Sequence, residues 1–286
     1  KIKSGEIHYD FVEVMACRRG CVMGGGQPLD AGAHTREARM QGLYKADVNT
    51  QIKKSDENPM VQSLYEGLLK GKTHELLHRN FAEAEKEKNK EEILNMFGFE
   101  NKDKERPLIA VISRLVNQKG LNLIRDMEYE LQKLNANFVI LGSGDKDLEN
   151  LFIWLSNNTQ NIRAQIGYNE QLAHKIYGAS DMFLMPSKFE PCGLGQLIAM
   201  RYGSLPIVRA VGGLDDTVVG YPLDNSTGFK FWRFNGYDML DAIRCALSVY
   251  NDKFTLNAMR KSAMEADFTW AKSAKEYLKV YRELKP

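Results

Sequence analysis

Short apolar runs alternate with amphipathic stretches between residues 108 and 208, and this alternation restricts the possible folds more than any other feature. The apolar runs predict β-strands over 108–112, 138–141, 182–185 and 205–208, and a further strand is predicted over 162–166. Between them, apolar residues recur three or four positions apart, which predicts α-helices over 121–134, 147–154, 170–177 and 194–201. Strands without a polar face are typical of a parallel sheet covered by helices. The sequence therefore predicts an α/β domain with a doubly wound parallel sheet.

The segments on either side of this region have different sequence patterns. Three further helices are predicted over 237–250, 255–266 and 272–284, whereas a run of mixed charge over 82–92 indicates a solvated helix or a linker. We expect a separate small segment, mainly helix and loop, over 1–81, the charged linker over 82–92, and the doubly wound domain over 93–286. About 200 residues are enough for an independent core, so the part from about residue 86 is expected to fold by itself.

Composition argues against several classes of function. The 286 residues carry 39 Lys and Arg against 37 Asp and Glu, so no broad field favours a nucleic acid or an anionic membrane. No apolar run approaches the ~20 residues of a membrane-spanning helix, and the first residues lack the apolar core of a secretion signal. These features predict a cytoplasmic protein with reduced cysteines. Cys245 is expected to be a small buried residue of its helix.

Ligands of doubly wound sheets bind at the carboxyl ends of the strands, so the loops that follow the strands are the candidate site. The loop after the first strand contains Ser113-Arg-Leu-Val-Asn-Gln-Lys-Gly120. Arg114 offers a planar guanidinium and Lys119 a point charge, and such a pair can clamp a diphosphate. The alternative is that both are ordinary solvated side chains.

The loop after the fourth strand contains Lys188-Phe-Glu-Pro-Cys-Gly-Leu-Gly195. A helix is expected to begin near Gly193, where backbone amides can approach an anion closely because Gly193 and Gly195 have no side chain. Glu190 precedes this positive helix end. It has two possible roles, which are to stabilise the helix dipole or to accept hydrogen bonds from sugar hydroxyls.

Residues from about 86 to the end resemble bacterial glycogen synthases and plant starch synthases, which are retaining glucosyltransferases of the GT-B fold. Beside the Ser113–Gly120 loop, the resemblance rests on Val139-Ile-Leu-Gly-Ser-Gly-Asp145, Ile166-Gly-Tyr-Asn-Glu170, Phe189-Glu-Pro-Cys-Gly-Leu194, Met200-Arg-Tyr-Gly203, Val211-Gly-Gly-Leu-Asp-Asp-Thr-Val218 and Asp267-Phe-Thr-Trp270. It implies a Rossmann-like, nucleotide-sugar-binding C-terminal half that moves glucose from ADP-glucose to an α-1,4-glucan without a cofactor.

The resemblance also implies a role for each matching residue. Arg114 and Lys119 would hold the donor diphosphate, and Glu190 would contact the donor glucose, which makes these three the expected catalytic residues. Tyr168 would face the adenine ring, and Cys192 would be a neighbour of the donor rather than a nucleophile. The other expected donor-binding residues contribute backbone amides to phosphate and sugar, and they are Gly193, Leu194, Gly195, Gly212, Gly213 and Leu214.

One part of this family has no counterpart before residue 86. The family's N-terminal domain binds the glucan acceptor and carries a Lys-x-Gly-Gly-Leu loop and an active-site His. The Gly-Gly-Leu of this chain, Gly212-Gly-Leu214, follows Ala210-Val211 instead. We therefore expect donor binding with little glucan elongation by this chain alone.

Residues 1–81 resemble the C-terminal end of iron-only hydrogenases. The resemblance is carried by Met15-Ala-Cys-Arg-Arg-Gly-Cys21 and Gly24-Gly-Gly-Gln-Pro28, and it continues through 36–44, 54–59 and 74–78. It implies that Cys17 and Cys21 correspond to ligands of the hydrogen-activating cluster. The two upstream cysteine ligands have no counterpart here, and a cubane needs four. An iron–sulfur cluster is therefore expected only if another polypeptide completes the site.

Three functions follow from these patterns. The first is the donor-binding half of an ADP-glucose-dependent glucan synthase, the second is a fragment of an iron-only hydrogenase, and the third is a non-catalytic nucleotide-sugar binder. His74-Glu-Leu-Leu-His78 also fits the zinc-protease pattern. That pattern is short and lacks a third ligand, so zinc hydrolysis is disfavoured.

Overall fold

The computed structural model describes residues 83–100 and 105–284. All of them belong to one compact unit, Phe81–Pro286. The segment predicted over 1–81, with Cys17, Cys21 and the His74–His78 motif, lies outside the described residues.

Within the described ranges six parallel strands form one sheet, which confirms the predicted doubly wound architecture. The strands are β1 (Leu108–Ile112), β2 (Asn137–Gly142), β3 (Ile162–Ile166), β4 (Met182–Met185), β5 (Leu205–Arg209) and β6 (Phe229–Phe231). Their order in the sheet is β3-β2-β1-β4-β5-β6. The first five match the predicted strands to within a residue at each end, and β6 was not predicted.

The helices lie at the predicted places except Gly213–Thr217, which was not predicted. They are α1 (Glu83–Met96), α2 (Leu121–Asp126), α3 (Glu128–Gln132), α4 (Lys146–Asn158), α5 (Glu170–Ala179), α6 (Gly195–Arg201), α7 (Gly213–Thr217), α8 (Gly236–Asn251), α9 (Lys253–Glu265) and α10 (Trp270–Leu284). The helix expected over 121–134 is divided, because Met127 leaves helical geometry at φ −114° and ψ 13°. None of the helices in the described ranges is long and apolar enough to cross a membrane.

The inner strands are buried on both faces of the sheet, since successive side chains point to opposite faces and β2 is buried along its whole length. In β1, Ile109 and Val111 join the core cluster that includes residues of α8 and α9. Leu108 and Ala110 join a second cluster, to which α1 contributes Ile93 and Leu94. The central strand is therefore enclosed by helices on both sides, as its uninterrupted apolar sequence predicts.

Helix α1 corrects one expectation drawn from the charged run. The helix forms, but it is not simply solvated, since Lys86 and Lys90 are 4% and 2% exposed. The Nζ of Lys86 donates to the carbonyl of Ser180 at 2.6 Å. The Nζ of Lys90 lies 2.8 Å from a carboxylate oxygen of Asp181. Both acceptors come from the segment just before β4, so α1 is anchored to the amino-terminal edge of the sheet.

Asp181 is the hub of this buried charge cluster. Its two oxygens accept from Lys90, from the backbone amide of Leu108 at 2.9 Å and from Arg260 at 2.7 Å. Burial alone would raise the pKa of Asp181, but the attraction of the surrounding cations outweighs it and holds that pKa below its usual value. For Lys86 the balance is reversed, because burial outweighs the attraction of Asp181 and lowers its pKa to about 7.

The substitution Lys86→Met is expected to flatten the dependence of stability on pH. Between about pH 7 and the unperturbed value of 10.5, the unfolded chain binds a proton at Lys86 that the folded protein does not bind. The free energy of unfolding of the unmodified protein should therefore rise with pH across this window, by up to about 1.4 kcal/mol per pH unit from this group. Urea unfolding at pH 7, 8 and 9 measures the slope. Lys88→Met is the matched control because Lys88 is exposed on the same helix. Parallel slopes for the unmodified protein and Lys86→Met would contradict this assignment.

Cys245 was expected to be buried, and this expectation is wrong. Its thiol is exposed. The buried stripe of α8 runs through Met239, Ala242, Ala246 and Val249, and residue 245 lies about 100° away from residue 246 around the helix axis. The amphipathic helix was correctly predicted, but its buried face does not extend to residue 245.

Candidate active site

The order of the strands places a crevice between β1 and β4. The chain builds outward from β1 to β3 and then returns to the other side of β1, so the order reverses at this point. Doubly wound sheets bind ligands at this reversal, outside the carboxyl ends of the strands. A cavity of about 540 Å³ opens there, which is a size typical of small-molecule sites. Its lining includes Ser113, Arg114, Lys119, Tyr168, Tyr177, Glu190, Gly193, Leu194 and Gly195.

The loops after β1 and β4 pack directly against each other. The amide of Lys188 donates to the carbonyl of Gln118 at 2.9 Å, and the side-chain amide of Gln118 donates to the carbonyl of Phe189 at 3.3 Å. Gly120, with φ +73°, allows this approach, since a Cβ at Gly120 would lie 1.8 Å from the carbonyl oxygen of Pro186. The local geometry therefore fixes Lys119 beside the loop that carries Glu190.

Lys119 and Glu190 form an ion pair across the crevice. The Lys119 Nζ lies 2.5 Å from Glu190 Oε2, and the Ser187 hydroxyl donates to the same oxygen at 3.1 Å. The Glu190 residue is 6% exposed, whereas Arg114 is exposed at the rim of the cavity. The structure thus brings together the three expected catalytic residues. Two cations against one carboxylate leave this lining with an excess of positive charge, which favours an anionic ligand.

Arg209, at the carboxyl end of β5, holds the loop that carries Glu190, although no motif in the sequence indicated this role. Its guanidinium donates to the carbonyl oxygens of Ser187 at 2.8 Å and Lys188 at 2.5 Å, and to that of Trp232 at 3.3 Å. Partial burial lowers the pKa of Arg209 below its ordinary value. The signal in the sequence was a charged residue at the end of an apolar strand, at the same sheet edge as Arg114.

The Gly212–Leu214 segment braces the other side of the same loop. The Gly213 amide donates to the carbonyl of Glu190 at 3.0 Å, and the Leu214 amide donates to that of Val211 at 3.2 Å. A Cβ at Gly213 would lie 1.9 Å from the carbonyl oxygen of Cys192, so only glycine permits this contact. In this conformation the Gly213 and Leu214 amides are engaged within the protein, and their contact with phosphate or sugar stays a prediction.

The remaining predicted donor residues divide into two groups. Tyr168, Gly193, Leu194 and Gly195 line the cavity, and Tyr168 is 85% exposed. Cys192 is exposed but does not belong to the lining. Within the described ranges, no group of three or more His, Cys, Asp and Glu side chains is arranged to hold a metal ion. Cys17 and Cys21 lie outside those ranges, so their proposed cluster is not addressed by this geometry.

Three families match different parts of the chain. Residues 92–248 match the family described as Glycosyl transferases group 1. Residues 33–83 match the Iron hydrogenase small subunit family, and residues 1–25 match the Iron only hydrogenase large subunit, C-terminal domain. The division agrees with the two resemblances found in the sequence.

Curated relatives of the chain are glycogen synthases. That of Bacillus cereus (strain ATCC 10987 / NRS 248) is 45% identical over 203 residues, which are 70% of this chain and 42% of the relative. That of Koribacter versatilis is 44% identical over 205 residues, which are 71% of this chain and 42% of the relative. The chain thus spans well under two thirds of the length of these relatives.

Solved structures agree with this picture. The catalytic domain of starch synthase IV from Arabidopsis thaliana, bound to ADP and acarbose, is 36% identical with a TM-score of 0.62, and the match covers 69% of this chain and 42% of that one. A glycosyltransferase from Rickettsia africae is 20% identical with a TM-score of 0.54, covering 72% of this chain and 53% of that one. The second likeness shows the fold alone.

Proposed function

This chain belongs to the group 1 glycosyltransferase family, and we propose that residues 83–286 are the donor-binding half of a retaining glucosyltransferase of the glycogen and starch synthase type. The donor is ADP-glucose, and the acceptor is an α-1,4-glucan in the cytoplasm. The ADP in the 36%-identical starch synthase structure supports an adenine nucleotide. No metal or prosthetic group is part of the proposal.

The observation that carries the proposal is the Lys119–Glu190 pair inside the cavity at the sheet reversal. Its Nζ–Oε2 distance of 2.5 Å brings one cation and one acceptor side by side in the cavity, and this supports a ligand that carries a diphosphate next to a sugar. Lys119 and Arg114 neutralise charge on the departing diphosphate, which lowers the barrier because that charge grows in the transition state. Glu190 accepts hydrogen bonds from the glucose hydroxyls.

Donor binding then requires an exchange of partners. A diphosphate oxygen replaces Glu190 as the partner of Lys119, and glucose hydroxyls replace Lys119 as donors to Glu190. Both ends of the broken ion pair are satisfied only when a ligand carries phosphate and sugar together. The exchange therefore favours the intact donor over ADP or glucose alone.

The test is a calorimetric titration of ADP and ADP-glucose into the unmodified protein and Glu190→Gln. The unmodified protein should bind both ligands, with ADP-glucose binding more tightly. The variant should bind ADP roughly 3- to 10-fold more tightly, because Lys119 is released from its pair, and should lose its preference for ADP-glucose. Glu170→Gln, an exposed residue beside Tyr168, changes the net charge equally and should leave both affinities unaltered. Absence of ADP-glucose binding by the unmodified protein would overturn the proposal.

A second candidate function is a fragment of an iron-only hydrogenase, and the two family matches within residues 1–83 favour it. Cys17 and Cys21 would supply two ligands to a cluster that needs four. Iron analysis and the visible spectrum of the protein purified under anaerobic conditions test this function. Stoichiometric iron would support it, and a protein without iron would exclude a cluster held by this chain alone.

A further inference from the structure

The buried phenol of Tyr177 has no role in the site as described so far. Tyr177 lies in the last turns of α5 and is 6% exposed. Its ring packs against Phe183, with 4.8 Å between ring centroids, and is stacked with Tyr202 at 6.2 Å. The residue nevertheless belongs to the lining of the 540 Å³ cavity. The ring of Tyr177 is therefore held by Phe183 and Tyr202 on one side and borders the cavity on the other.

The hydroxyl of Tyr177 has no hydrogen-bond partner among the described residues. Although the ring is buried, the hydroxyl oxygen is not fully enclosed by protein, and a phenolic hydroxyl in such a position normally finds a hydrogen-bond partner. Burial also raises the pKa of Tyr177 to about 12. The group therefore stays protonated at physiological pH and presents a hydrogen-bond donor to an acceptor inside the cavity.

Gly195 keeps this hydroxyl accessible. A Cβ at Gly195 would lie 3.4 Å from the Tyr177 hydroxyl oxygen and 3.1 Å from Cε1 of Phe183. Any larger side chain would thus stand against the phenol. Because Gly195 has no side chain, the space in front of the Tyr177 hydroxyl stays open to a ligand atom.

Starting from the proposed function, we propose that the Tyr177 hydroxyl donates a hydrogen bond to an oxygen of the nucleotide half of the donor. The nucleotide half is favoured over the glucose because Tyr177 is carried by α5, the helix that directly follows Tyr168, which is expected to face the base. The hydroxyl also lies beside Gly195, whose amide is expected to bind phosphate. Tyr177 is therefore a binding residue for the ADP part of the donor, near its diphosphate.

Tyr177→Phe tests this proposal, since it removes only the hydroxyl. Affinities for ADP and ADP-glucose should fall by the same factor, roughly five- to tenfold, which is the effect of one lost hydrogen bond to a ligand oxygen. The melting temperature without ligand should not fall, because the hydroxyl bonds to none of the described residues. Tyr202→Phe is the matched control. It removes a neighbouring phenol that bonds to His174 and does not line the cavity, and it should leave both affinities unchanged.

The possible outcomes separate this proposal from the function on which it rests. Unchanged affinities in Tyr177→Phe, or a loss confined to ADP-glucose, would overturn the Tyr177 assignment alone. A protein that binds neither nucleotide before any substitution would overturn the proposed function and this assignment with it. Gly195→Ala gives an independent check, because its methyl group faces the hydroxyl. Its effect on ADP affinity should be smaller in the Tyr177→Phe background than in the unmodified protein, and equal effects would contradict the shared contact.

Discussion

The double substitution Arg114→Ala and Lys119→Ala is expected to weaken ADP binding by roughly two to four orders of magnitude. Each charged hydrogen bond to a phosphate contributes about 1.5–3 kcal/mol, and two such groups act on the same diphosphate. The stabilisation that ADP gives the unmodified protein, about 2.7 kcal/mol at a hundredfold excess over Kd, should disappear with them. Calorimetry and thermal unfolding with and without ADP measure the two effects.

Removal of Lys119 also leaves Glu190 without its ion-pair partner, so the control must separate lost binding from a damaged fold. The double variant Arg125→Ala and Lys133→Ala removes the same two charge types from α2 and the end of α3, where both are exposed and paired with neighbouring acids. It should bind ADP as the unmodified protein does. ADP stabilisation that survives the loss of Arg114 and Lys119 would contradict the assigned diphosphate site.

The sheet and the position of the site could be predicted because both depend on local sequence. An apolar strand such as 108–112 is buried only when helices cover both faces of its sheet. The alternation of strand and helix requires parallel pairing of the strands. The ligand edge follows from that topology. Arg114, Lys119 and Glu190 were candidates because each lies in a loop that follows a strand. By contrast, β6 has only three residues, Phe229-Lys-Phe231, a length at which no periodicity can be recognised.

Contacts between distant segments could not be predicted in this way. Lys119 and Glu190 are 71 residues apart, and nothing in either loop indicates that the two side chains pair. Lys86 and Lys90 lie in a run that has the charge pattern of a solvated helix, yet they are buried because Asp181 and the carbonyl of Ser180 meet them at the edge of the sheet. Arg209 was overlooked for the same reason, since its three acceptors are backbone carbonyls of two other loops. Every residue has a backbone carbonyl, so the sequence does not indicate which of them accepts a hydrogen bond.

Incubated with glycogen and ADP-glucose, the chain is expected to bind the donor and to extend no glucan chains above background. Retaining transfer requires the anomeric carbon and the acceptor hydroxyl to meet within about 3–3.5 Å in a cleft closed to water. In the proposed function, Arg114, Lys119 and Glu190 supply only the donor side of such a cleft. ADP release and the chain-length distribution of the glycogen measure turnover. Robust elongation by the chain alone would show that it carries an acceptor site of its own.

A fusion of residues 83–286 to the amino-terminal half of the Bacillus cereus glycogen synthase tests whether these residues can serve as the donor-binding half of an active enzyme. Since the relative is 45% identical over the shared 203 residues, the two halves should close over the donor and restore elongation. Glu190→Gln in the fusion should then lower the rate by roughly 10²- to 10³-fold, the loss typical of removing one group that stabilises the transition state. Glu170→Gln in the same fusion should leave the rate unaltered. A fusion that binds ADP-glucose but does not elongate would locate the defect in the contact between the halves, whereas a fusion whose rate is insensitive to Glu190 would remove that carboxylate from the mechanism.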